Sequence, residues 1–135
     1  MNPYEKYQQQ MVTTMTQGEM LLKLYDESIK QIEIARAAIK DGKTPEMDKA
    51  ITKTEQIIRY LRKTLDFRYP ISGNLSKLYD FFCTQLVMAN VKKDVKPLDD
   101  IQPLLAELRE TFSECAKIDR ANRTGAAGMA MGDVV

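Results

Sequence analysis

Carboxylates at Asp26, Glu27, Asp80 and Asp94 could serve as acid–base pairs or metal ligands, and the thiols Cys83 and Cys115 as nucleophiles. Each chemistry needs partners at defined spacing. The carboxylates fall on polar helix faces beside apolar positions, with no spacing that demands a metal. The cysteines lack a CxxC pattern and are expected as reduced core thiols rather than a bridge. Histidine is absent from all 135 residues. That removes Ser-His-Asp and Cys-His catalysis, His-ligated zinc and haem, and the Glu-x-x-His di-iron motif. No glycine-rich phosphate loop occurs. Neither catalysis nor a cofactor or metal is expected.

The tyrosines are harder to dismiss. Tyr4 and Tyr7 lie three residues apart in a polar head, residues 1–15, that also carries Met11, Val12 and Met15. Such a head reads either as a frayed terminus or as an arm whose tyrosines dock on an apolar groove. Tyr79, Phe81 and Phe82 form a second cluster. Neighbouring residues on a helix point about 100° apart, so these three cannot share one seam. They are either core plus a partly exposed ring, or the lining of a surface groove beside the core.

Four amphipathic segments position these groups. The first follows a Thr16-x-x-Glu19 capping box and repeats Leu21, Leu24/Tyr25, Ser28/Ile29, Ile32, Ala35 and Ile39 at helical steps. Gly42 suits its left-handed end. Thr44-Pro45-Glu46 reads as N-cap, N1 proline and first-turn acid of the second segment, striped by Met47, Ile51, Thr54, Ile57/Ile58, Leu61 and Leu65. Tyr69-Pro70 breaks it. The third carries Leu75, Leu78/Tyr79, Phe82, Leu86 and Ala89. The fourth carries Leu98, Ile101, Leu104/Leu105, Leu108, Phe112, Cys115 and Ile118. Pro103 either delays the start of that helix to Asp99–Asp100 or kinks one beginning at Pro97, and the kink is favoured.

The expected helices are thus about 17–41, 45–67, 73–93 and 97–119, in a bundle domain spanning 16–120 with a flexible small-residue tail over 121–135. Short connections place them antiparallel. The fold class expected is all-α, an up-down-up-down four-helix bundle with an N-terminal arm. The first three helices carry more apolar surface than one seam needs, a surplus that suits a partner helix. The formal net charge of +1 argues against nucleic acid, and no apolar run approaches a membrane span or a secretory signal. A soluble cytoplasmic protein, monomer or weak dimer, is expected.

The same residues resemble the FliS family of flagellin export chaperones. The likeness is carried by the head Asn2-Pro3-Tyr4-Glu5-Lys6-Tyr7-Gln8 and by Thr16 through Leu21-Leu22-Lys23-Leu24-Tyr25-Asp26. It continues through Asn74-Leu75-Ser76-Lys77-Leu78-Tyr79-Asp80-Phe81, Leu86-Val87-Met88-Ala89-Asn90, Lys92-Lys93-Asp94 and Leu104-Leu105-Ala106-Glu107-Leu108-Arg109 with Phe112. The match runs over about residues 2–118. It departs at Gln17-Gly18, at Phe112 where an indole is common, and at Pro103.

The resemblance implies a cytoplasmic type III export chaperone that binds the disordered C-terminal segment of flagellin. Such a chaperone prevents premature polymerisation and helps deliver flagellin to the export gate. On matching positions it implies Tyr4 and Tyr7 as arm residues, and Tyr25, Leu78, Tyr79, Phe82 and Asn90 in or near the partner-binding surface. A self-associating or adaptor bundle is the alternative.

Overall fold

The structure is a computed structural model that describes residues 17–128, with side chains described as far as Ile118 and at Ala121. The capping-box Thr16, the head with Tyr4 and Tyr7, and the end of the tail lie outside the described residues. Four helices follow one another: α1 Gln17–Lys40, α2 Thr44–Lys63, α3 Ile71–Lys92 and α4 Lys96–Gly128. No strand occurs among the described residues. Two compact units can be distinguished, Leu24–Glu107 and, of the described residues, 17–23 together with 108–128.

Leu24–Glu107 is the four-helix bundle. Its interior is apolar: Ile32 and Ala35 from α1, Met47, Ile51, Ile58 and Leu61 from α2, Phe82, Leu86 and Ala89 from α3, and Leu98, Ile101 and Leu105 from α4 are buried. These are the expected stripes, recurring every three or four residues. One buried polar pair crosses the core, where the Tyr25 and Tyr79 hydroxyls hydrogen-bond to each other. At the rim, the Arg36 guanidinium donates to Asp99 Oδ1 at 2.9 Å and to Gln102, tying α1 to α4. Lys53 pairs with Glu27 at 3.2 Å across α1 and α2, and Arg62 with Asp80 at 2.7 Å across α2 and α3.

The connections explain where helices stop. α1 ends on Gly42 at φ +68, and the Lys43 N–H reaches back to the Ala38 carbonyl. That conformation penalises any Cβ, hence the glycine. α3 closes the same way through Lys93 at φ 52, with the Asp94 N–H on the Ala89 carbonyl. A lysine therefore occupies a place glycine would fill at lower cost.

The boundaries differ from expectation at the start of α2 and at its junction with α3. Thr44 is the first residue of α2 rather than its cap; Lys43 holds the cap position, with no side-chain hydrogen bond there. α2 closes at Lys63, where the Thr64 hydroxyl donates to the Leu61 carbonyl, and α3 starts directly after Pro70. α4 runs continuously through Pro103. The carbonyl that Pro103 leaves without its helical donor belongs to Asp99, an exposed residue in the first turn.

In the second unit, α1 and α4 meet closely. A Cβ built on Gly18 would lie 3.1 Å from the Ala116 Cα, so the absence of a side chain permits the approach.

Candidate partner-binding surface

The residues that could do chemistry are dispersed and neutralised. Glu27 accepts from the Gln31 amide at 3.0 Å and pairs with Lys53. The Gln31 hydrogen bond holds its carboxyl below the ordinary range against the opposing effect of burial, with Lys53 adding to it. Asp80 pairs with Arg62, and Asp94 accepts from the Lys96 N–H at 3.0 Å at the start of α4. Among the described residues, no group of three or more acids and cysteines is arranged to hold a metal.

Both cysteines are free, Cys83 half-buried and Cys115 exposed, so the expectation that both sit in the core is corrected. Cys115 shares the period of the α4 stripe, but Ala116 is the residue buried there. Burial pushes the Cys83 thiol up and lowers its thiolate fraction. Two depressions among the described residues are open and polar-rimmed. One of about 350 Å³ lies between α1 and α2, lined by Gln31, Ile34, Glu46, Lys49, Ala50 and Lys53.

The apolar surface is more informative. On α3 the core residues Leu75, Tyr79, Phe82, Leu86 and Ala89 alternate at four- and three-residue steps. One position before four of them stand Leu78, Phe81, Gln85 and Met88, spaced three, four and three. A one-residue offset is about 100° of helix rotation, so these four form a second seam on the flank of the core stripe. Phe81 is 40% exposed and Met88 36%, while Leu78 and Gln85 are half-buried. The seam is braced from inside, because the Phe81 and Phe82 rings lie 6.3 Å apart at 50° and Phe82 meets Tyr79 at 6.3 Å and 48°. These tilted contacts are favourable ring arrangements.

A second exposed group sits where α2 turns into α3. Phe67, Tyr69 and Ile71 are each at least 60% exposed. Their backbone is nevertheless pinned: Asp66 accepts from the Arg68 backbone and guanidinium, and the Ser72 hydroxyl donates to the Asp66 carbonyl.

The residues expected at the partner surface therefore separate. Tyr25 and Phe82 are 0% exposed and Tyr79 2%, so they support the surface from inside. Burial raises both tyrosine pKa values and keeps the hydroxyls neutral, as an uncharged core pair requires. Leu78 belongs to the outer seam, and Asn90 is half-buried. Tyr4 and Tyr7 lie outside the described residues. Phe81 and Met88, exposed on the outer seam, are not among the residues expected at the partner surface. The signal that could have found them is a heptad-like spacing running one residue ahead of the core stripe.

Known proteins resemble this chain over most of its length. The family model of the flagellar protein FliS matches residues 1–119. The chain is 32% identical over 129 residues to the flagellar secretion chaperone FliS of Bacillus subtilis, covering 96% of this chain and 97% of that protein. It is 33% identical over 88 residues to the flagellar secretion chaperone FliSB of Pseudomonas aeruginosa, covering 64% and 70%. It is 26% identical over 106 residues to FliS of Salmonella typhimurium, covering 76% and 78%. With a family match through all four helices and a relative aligned almost end to end, the chain belongs to the FliS family of flagellar proteins.

Proposed function

We propose that this protein is a cytoplasmic flagellar secretion chaperone that binds the disordered C-terminal segment of flagellin, keeps it from polymerising and assists its type III export. Family membership supports the chaperone role, since the relatives are named flagellar secretion chaperones and the role requires no catalysis or cofactor. The observation that carries the reading is the outer seam of α3, where Leu78, Phe81 and Met88 remain accessible on a helix whose other flank is buried.

A flagellin terminus forms amphipathic helices that self-associate when their apolar faces are bare, and this seam offers a substitute partner. Burying ~1,000 Å² at about 25 cal/mol/Å² yields on the order of 25 kcal/mol gross. Association and the ordering of the bound segment consume much of it, leaving binding that is tight but releasable. In this reading Leu78 touches the partner and Asn90 borders it. Tyr25, Tyr79 and Phe82 fix the helix that presents it, and Tyr4 and Tyr7 form an arm able to cover it. The export gate then receives the complex. No helix among the described residues is long and apolar enough to cross a membrane, which suits a cytoplasmic carrier.

The test is calorimetry with the host's flagellin C-terminal segment. A one-to-one complex is expected, with Phe81→Asp reducing affinity at least tenfold while the thermal melt is retained. Absence of binding by the unaltered protein sinks the reading.

A further inference from the structure

The outer seam of α3 is not uniformly apolar. Gln85 stands in its middle, half-buried between Phe81 and Met88. A helix laid along Leu78, Phe81 and Met88 would enclose the Gln85 amide. A buried amide needs hydrogen-bond partners, and leaving them unmade costs more than an apolar residue there would. Single polar residues inside an apolar helix seam act in this way to fix register at the expense of stability.

The seam is also electrostatically one-sided. α3 contains one carboxylate, Asp80, and it is turned toward Arg62 of α2 at 2.7 Å. The cations of α3 are Lys77, exposed along the edge of the seam, and Lys92, exposed where the 3–4 spacing would next continue. From α3 itself a docked helix therefore meets lysines toward both ends, an amide in the middle and no acid. A second copy of α3 would set lysines against lysines, which disfavours self-pairing.

Building on the flagellin-binding reading, we infer that Gln85 is a specificity-determining residue. It selects a partner helix that presents a hydrogen-bonding side chain at the middle of its apolar repeat and acidic residues toward its ends. Lys77 and Lys92 guide that helix, and Gln85 fixes the register in which it comes to rest. The apolar side chains supply affinity without choosing among registers one heptad apart, because each such shift presents the same spacing again.

The sign of one substitution separates this from a seam that is merely apolar. Titration of the full-length protein with the flagellin C-terminal segment is expected to show Gln85→Leu binding about tenfold more weakly, because the partner's polar group then faces leucine unpaired. Equal or tighter binding by Gln85→Leu overturns the proposal while the flagellin reading stands, since an ordinary apolar groove gains from the added leucine. Lys77→Glu with Lys92→Glu is expected to weaken binding several-fold at low salt and less at high salt. Unchanged binding by that pair refutes the acidic-partner half.

Gln85 and both lysines lie outside the core, so the variants are expected to melt as the parent does. Salt titration of the unaltered protein supplies a readout that needs no variant: affinity should fall as salt rises, and a flat response counts against the lysines. If the unaltered protein does not bind the segment, the flagellin reading and this inference both fall. If Phe81→Asp changes the molar mass in solution instead of the affinity, the seam is an interface between copies and the inference is overturned.

Discussion

α2 and α3 pack side by side, yet they use their surfaces differently. α2 has one apolar face, buried from Met47 to Leu61, and an outer face of Asp48, Lys49, Thr52, Lys53 and Gln56, with Tyr60 as a half-exposed exception. α3 is apolar on more than one side: besides its buried stripe it exposes Phe81, Val87, Met88 and Val91. A helix that only completes a core needs one stripe, and the rest of its surface is free to be polar. α3 carries a surplus that the bundle does not consume. The contrast is why the proposed partner surface is placed on α3, with α2 as the wall behind it.

The largest expected effect breaks the inner half of that contrast. Phe82→Ala removes a fully buried ring and should cost about 3–5 kcal/mol in urea unfolding, taking partner binding with it. One residue earlier, Phe81→Asp should shift stability by no more than about 1 kcal/mol. It should nevertheless cost at least tenfold in flagellin affinity, so the two neighbouring positions separate scaffold from site.

Next comes the tyrosine pair. Tyr25→Phe leaves the Tyr79 hydroxyl buried without its partner and should cost about 1–2 kcal/mol, part of which the double Phe variant should recover. The same pair sets an alkaline limit. Both hydroxyls have folded pKa values above the ordinary 10.0, whereas the unfolded chain releases those protons near that value. Above pH 10 the unfolded state binds fewer protons, so stability is full below that pH and is lost as pH rises beyond it. Denaturation midpoints across the alkaline range should show that fall, and Tyr25→Phe should make it shallower.

Replacing Lys93 with glycine should raise stability by about 1 kcal/mol, since the left-handed α3 terminus then matches the one at Gly42. The smallest effect sharpens the other side of the comparison: Gln56→Asp, on the outer face of α2, should stay within about 0.5 kcal/mol in stability and leave flagellin affinity unchanged.

Much of this was legible in the residues. Ile32, Ile51, Phe82 and Leu105 repeat at helical steps that any isolated segment would show, and Gly42 declares a left-handed turn by its lack of a Cβ. The site was only partly readable. Tyr79 and Phe82 stand out by type, but type does not say which of three neighbouring aromatics faces inward. The helix boundaries around Lys63 and Ile71 were blurred because Leu65 keeps the apolar period after the backbone has left the helix.

The sequence alone determined four amphipathic helices joined by short turns, no histidine chemistry, and a recognisable set of motifs along the chain. Periodicity, capping and composition are local properties, written into neighbouring residues. Only the tertiary structure decided that Tyr25 and Tyr79 meet in the core while Phe81, Gln85 and Met88 face outward. The rotation of a helix about its own axis is set by the competition of several apolar flanks for one interior. That competition is settled by the other three helices, and no single stretch of chain contains its outcome.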